Sequence, residues 1–127
     1  AYEADEVPIG AVVVCGDRVI ARAHNLSMRL NDVTAHAEMQ AITAAANYLG
    51  SKFLDECTLF VTVEPCVMCA GALYWARLGR LVYGTHDEKK GYSKVESKLL
   101  HPKTKVDRGL LREQCSRLMT EYFKSKR

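Results

Sequence analysis

The chain has 127 residues, about the size of one domain, and its 48% hydrophobic and 26% charged residues are ordinary for a globular protein. No apolar run approaches the roughly 18 residues that span a bilayer, and the first residues lack a basic-then-apolar leader, so a cytoplasmic location is expected. Five cysteines, an odd count with one close pair, exclude an evenly paired disulfide framework and favour metal or redox chemistry. The net charge of +3 is unevenly spread: from Arg77 onward there are 14 Lys and Arg against 6 Asp and Glu. That half could face a polyanion, although a solvated helix face reads the same way.

In chain order, Ala1 to Glu6 resembles the tail of a helix whose start is missing. Ile9 to Cys15 is a β-branched apolar run, Gly16-Asp17 a turn, and Arg18 to Ala23 an alternating segment, which together predict a β-hairpin. Asn25 to Val33 is polar and aperiodic, a loop. Thr34 is the expected N-cap of a helix over Ala35 to Leu49, with Met39, Ile42, Ala45 and Leu49 at helical spacing and Gly50-Ser51 as its stop.

Cys57 to Val63 predicts a strand that Glu64-Pro65 breaks. Pro65 suits the start of a second helix over Cys66 to Leu78, closed by Gly79. Leu81 to Tyr83 predicts a short strand, and Thr85 to Thr104 a long polar loop. Leu110 to Lys124 predicts a last helix with Leu111, Cys115, Leu118, Met119 and Tyr122 on one face. With no repeat and no linker, residues 1–127 read as one domain. Strands interleaved with helices predict an α/β fold: a three-layer α/β/α sandwich around a central mixed sheet.

The chemistry concentrates in His36-Ala37-Glu38 and Pro65-Cys66-Val67-Met68-Cys69. Cysteines three apart at a helix start place both sulfurs on one side, where the helix dipole favours thiolates. His36, Cys66 and Cys69 would be three zinc ligands, leaving a fourth position for water, as catalytic zinc requires. The metal would lower that water's pKa to about 7. Glu38, two residues from a ligand, would move protons. Taken singly, the Cys pair also fits a redox motif, or half of a structural zinc site completed by Cys57 or Cys15.

His-x-Glu followed by Pro-Cys-x-x-Cys is the signature of the zinc deaminases. The longer strings Val7-Pro8-Ile9-Gly10-Ala11-Val12, His24-Asn25, Asp32 to Glu38 and Val63 to Ala72 resemble bacterial tRNA adenosine deaminases, of the cytidine-deaminase-like superfamily. The resemblance covers residues 5 to 91 well and the final helix loosely. It implies one Zn²⁺ per subunit, a homodimer, and hydrolysis of adenosine to inosine at the wobble position of a tRNA anticodon stem-loop. It places substrate contacts at Asn25, with Ala37 and Pro65 beside the ligands, and implies a first helix that this chain largely lacks.

Lys89, Lys90, Lys94, Lys103, Lys105, Lys124, Lys126 and Arg127 are candidate phosphate contacts. Tyr92 and Phe123 are candidates for stacking on bases. Tyr74 and Trp75 suit packing or a dimer contact. The family carries a Gly/Ala/Ser-rich stretch after the positions of Asp87, Lys89 and Gly91; here Tyr92-Ser93-Lys94-Val95-Glu96-Ser97 replaces it. Ala72 to Ala76 is similar to guanine deaminases, so deamination of free guanine, cytosine or cytidine is the second reading. A non-enzymatic zinc module that binds RNA is the third, and an unligated Glu38 argues against it.

Overall fold

A computed structural model describes residues 9–27, 30–87, 89–95 and 98–109. Five strands form one mixed sheet in the order β2-β1-β3-β4-β5. β1 (Gly10–Cys15) and β2 (Arg18–His24) make the expected hairpin, closed by a two-residue turn in which Gly16 has φ of 63°. Only glycine enters that region without strain. Register shifts between Val13 and Val14, so that Ile20 is the extra residue of a bulge in β2.

β3 (Cys57–Val63) has the predicted bounds and alternates strictly: Cys57, Leu59, Val61 and Val63 are buried and the residues between them half-buried. It pairs antiparallel with β1 and parallel with β4 (Arg80–Thr85), which pairs parallel with β5 (Lys105–Arg108). Val13, Leu59 and Leu81 therefore stand side by side across three strands, as do Ala11, Val61 and Tyr83. These six residues form the heart of the core.

Helix α1 (Ala37–Leu49) connects β2 to β3, and α2 (Val67–Ala76) connects β3 to β4; the two helices touch. α1 lies on β1 and β2 through Ala37, Ala41 and Ala45, all fully buried. The apolar spacing points to Met39, Ile42, Ala45 and Leu49, of which Ala45 alone is fully buried. Met39 and Ile42 lie at the margin and Leu49 is exposed, because small alanines let the helix approach the sheet closely.

The N-cap of α1 is His36, not Thr34. Thr34 spends its backbone N–H and hydroxyl on Asp32 Oδ1, at 2.8 and 2.7 Å. α2 ends at Arg77, with φ of 54°, rather than at Gly79. Gly79 instead lies against the Asp55 carbonyl, where a Cβ would collide.

β5 follows directly on the expected loop, where the sequence pattern predicts no strand. Within that loop Tyr92 opens a single 3-10 turn (Tyr92–Lys94) and is buried beside Tyr83, so it belongs to the core and not to a stacking surface. The architecture is an α/β sandwich on a mixed sheet. The layer expected on the second face, with the helix over Leu110 to Lys124, lies outside the described residues, as do the tail of a helix at Ala1 to Glu6 and Phe123, Lys124, Lys126 and Arg127. No helix among the described residues is long and apolar enough to cross a membrane.

Candidate metal centre and active site

Strand directions bring the two motifs together. β2 and β3 are both antiparallel to β1, so they run the same way, and β4 is parallel to β3. The segments that follow β2, β3 and β4 therefore leave from one end of the sheet, where clefts form in α/β folds. The first carries Asn25 and His36, the second Pro65, Cys66 and Cys69, and the third His86 to Ser93.

His36 caps α1 and Cys66 caps α2, so both ligands stand at helix N-termini. His36 Nδ1 lies 3.7 Å from Cys66 Sγ and 3.6 Å from Cys69 Sγ. One donor atom from each residue falls within 4.8 Å of the others, and among the described residues this is the sole such group of three or more. Separations of 3.6 to 3.7 Å match ligands about 2.0 to 2.3 Å from one tetrahedral ion. Cys57 and Cys15 do not complete the site. They face each other in register at the far end of the sheet, and β3 alone spans about 20 Å. The structural-zinc alternative built on them is excluded.

Electrostatics agree with this donor set. The Cys66 thiol is pulled down to about 5, chiefly by a hydrogen bond from Cys69 and against the effect of burial, with His36 and backbone N–H groups helping. The Cys69 thiol moves up, because it donates to Cys66 and is buried near Glu38. A divalent ion would stabilise both sulfurs as thiolates.

Glu38 sits in the first turn of α1 and is 3% exposed. Its Oε1 is buried with no hydrogen-bond partner. Burial above all pushes its carboxyl up to about 7, with the Cys66 sulfur adding to the rise and its own backbone N–H opposing it. A buried acceptor without a partner is costly. Here it stands two residues from one ligand and beside the other two, which fits a water or substrate group on a metal. The residues fit a zinc ion with one open position.

Asn25 is buried at the end of β2; its N–H donates to the Ile9 carbonyl and its Nδ2 to Ser27 Oγ. Ala37 and Pro65 are fully buried next to their ligands, and the Pro65 carbonyl accepts the N–H of Tyr92 at 2.9 Å. Lys89, Lys90 and Lys94 are exposed on the segment after β4, at the metal end. Lys103 and Lys105 are at the other end, where β5 begins. There, with Phe53, Arg77, Arg80 and His101, they line a cleft of about 640 Å³. They stand at the opposite end of the parallel strands from the metal ligands.

The family profile of the MafB19-like deaminases matches residues 1–127. A tRNA-specific adenosine deaminase of Agrobacterium fabrum is 45% identical over 134 residues, covering 100% of this chain and 87% of that one. The chain belongs to the bacterial tRNA-specific adenosine deaminase family. A solved structure from a study of A-to-I editing by tRNA:A34 deaminases superposes with a TM-score of 0.85 at 44% identity, covering 93% of this chain and 89% of that one. Guanine deaminase from Nitrosomonas europaea gives 0.77 at 27% identity, covering 94% and 75%. The family is a zinc-dependent one, in keeping with the His36, Cys66 and Cys69 cluster, within the cytidine-deaminase-like superfamily.

One buried carboxylate near the metal ligands has no counterpart in the sequence reading. By sequence Glu64 only breaks the strand with Pro65, yet its side chain is 1% exposed. Its Oε1 accepts from His86 Nδ1 at 3.1 Å and Asp87 N–H at 3.3 Å. Its Oε2 accepts from Ser93 N–H at 3.0 Å and Ser93 Oγ at 2.5 Å. Burial acts to raise its pKa, but these donors prevail and hold the carboxyl below the ordinary carboxylate value. The signal available in the sequence was a lone charge inside an otherwise apolar run, which must find partners if buried.

Proposed function

We propose that this chain deaminates adenosine at the wobble position of a tRNA anticodon, forming inosine and releasing ammonia. One observation carries the reading: His36, Cys66 and Cys69 converge beside a buried Glu38 oxygen that lacks a partner, in a chain of this family.

Zinc, when bound, lowers the pKa of a water in its open position to about 7. In the proposed reaction Glu38 takes a proton from the attacking water and passes it to the adjacent ring nitrogen. The water oxygen bonds to C6 of adenine, the bond from C6 to the amino nitrogen breaks, and the second water proton travels through Glu38 to the departing amine. Asn25, Ala37 and Pro65 are assigned to holding the nucleobase; their shared end of the sheet, and the adjacency of Ala37 and Pro65 to ligands, support this. An anticodon loop offers unpaired bases that enter a pocket at small cost. Exposed Lys89, Lys90 and Lys94, on the segment after β4, support contact with its phosphates. A cytoplasmic location is part of the proposal and is in keeping with a tRNA substrate.

The chain is also assigned a homodimeric state. α2 is apolar all round, and its outer face leaves Val67, Met68, Tyr74 and Trp75 exposed, Trp75 at 77%. A helix of that kind calls for cover on both sides.

Incubation with an anticodon stem-loop carrying adenosine at the wobble position, and separately with guanine, cytosine and cytidine, tests the function. Inosine formed in the stem-loop is the expected result. Ammonia released only from a free base would replace the proposal with the second reading.

A further inference from the structure

The carboxylate of Glu64 ties the segment after β4 to the turn that bears two of the metal ligands. We propose that Glu64 is a positioning residue for the metal centre: it clamps His86, Asp87 and Gly91 to Ser93 onto Pro65-Cys66 and so fixes where the Cys66 sulfur stands. The inference rests on the reading of His36, Cys66 and Cys69 as zinc ligands, and not on the identity of the substrate.

Three contacts connect the clamp to the ligand turn. The Glu64 N–H donates to the Thr85 carbonyl at 2.8 Å, the Tyr92 N–H donates to the Pro65 carbonyl at 2.9 Å, and Gly91 forms an isolated antiparallel bridge with Cys66 itself. Gly91 has no side chain where one would be 2.5 Å from the Glu64 carboxyl carbon and 2.6 Å from the Asp87 carbonyl. The segment can therefore lie flat on the carboxylate. Asp87 completes the fold of the segment: its Oδ1 accepts the N–H groups of Lys89 and Lys90 at 3.0 and 2.9 Å.

Two of the four bonds to Glu64 come from Ser93, one from its N–H and one from its hydroxyl. Its neighbour Tyr92 anchors the same turn in the core. The clamp's action on zinc is indirect. Groups behind metal ligands hold them in the geometry the ion demands, and losing such support commonly costs 10- to 100-fold in metal affinity.

The test is the rate at which the zinc-loaded protein loses metal to a chromophoric chelator. It is measured for wild type, Glu64→Gln, Ser93→Ala and the double variant, alongside the melting temperature of each zinc-free form. Glu64→Gln should lose zinc roughly tenfold faster. Ser93→Ala should do so a few-fold faster, and the double variant no faster than Glu64→Gln, because the two residues act through one contact. A Glu64→Gln variant that melts lower but loses zinc at the wild-type rate would overturn the proposal and leave Glu64 a merely structural residue. Fully additive effects would overturn it as well. If Glu64→Gln does not fold, Ser93→Ala carries the test, and a wild-type rate there overturns it. Wild-type protein that holds no zinc would instead refute the metal reading, which keeps the two failures apart.

Discussion

His36 Nδ1 stands 3.6 Å from Cys69 Sγ, although the two residues are 33 positions apart in the chain. Neither side chain has any reason to seek the other in the absence of a metal: an imidazole and a pair of thiols gain little from a weak hydrogen bond. The sheet forces the meeting, because β2 and β3 run in the same direction and each delivers a helix N-terminus to the same end.

The close fit of Gly91 predicts a penalty for any side chain there. A Cβ would meet both the Glu64 carboxyl and the Asp87 carbonyl, and the carbonyl belongs to backbone that cannot rotate away. Gly91→Ala should lower stability by about 1–3 kcal/mol, the usual cost of overpacking. Thermal or urea unfolding of the zinc-loaded protein measures this. A wild-type midpoint would show that the segment is not pressed onto Glu64.

Cys57 predicts a pH effect remote from the metal. Burial, with Cys15 and the nearby acids Asp55 and Glu56, pushes its thiol up to about 12. In the unfolded chain it titrates near the ordinary 9.0. Between those values the folded state keeps a proton that the unfolded state has lost. The stabilisation is complete below about pH 9 and fades as the pH climbs toward 12. Melting temperatures recorded from pH 8 to 11 should fall more steeply for wild type than for Cys57→Ala. Equal slopes would remove Cys57 as the cause. The same thiol should resist iodoacetamide at pH 8, since the thiolate is the reactive form.

The outer face of α2 predicts the assembly state. Trp75→Glu places a charge on the most exposed large residue of that face. Sedimentation should find two chains per particle for wild type and one for the variant. A wild-type monomer would contradict the dimer, and an unchanged dimer in the variant would move the interface elsewhere.

Much of the fold was legible where burial follows a simple period. β3 was read with its bounds because four buried residues alternate with half-buried ones, and the hairpin because Gly16 marks a turn that demands it. β5 was not, since Lys-Val-Asp-Arg holds one apolar residue and gains its strand only from pairing with β4. Tyr92 was placed in a polar loop because a single aromatic residue carries no periodicity, and only the tertiary fold shows that it fills the space beside Tyr83. The metal ligands were legible from residue type and spacing. Their convergence was not, because it depends on the relative directions of β2 and β3. Glu64 escaped because its four donors come from residues 22 to 29 positions away.

The most direct measurement is metal content together with the rate of inosine formation in a wobble-adenosine stem-loop, for wild type and Glu38→Ala. Both proteins should hold about one zinc per chain. The variant should be slower by roughly 10²- to 10⁴-fold, the usual contribution of a positioned proton-transfer group. A wild-type protein without zinc, or a Glu38→Ala variant as fast as wild type, would rule out zinc-dependent deamination with Glu38 as the proton carrier.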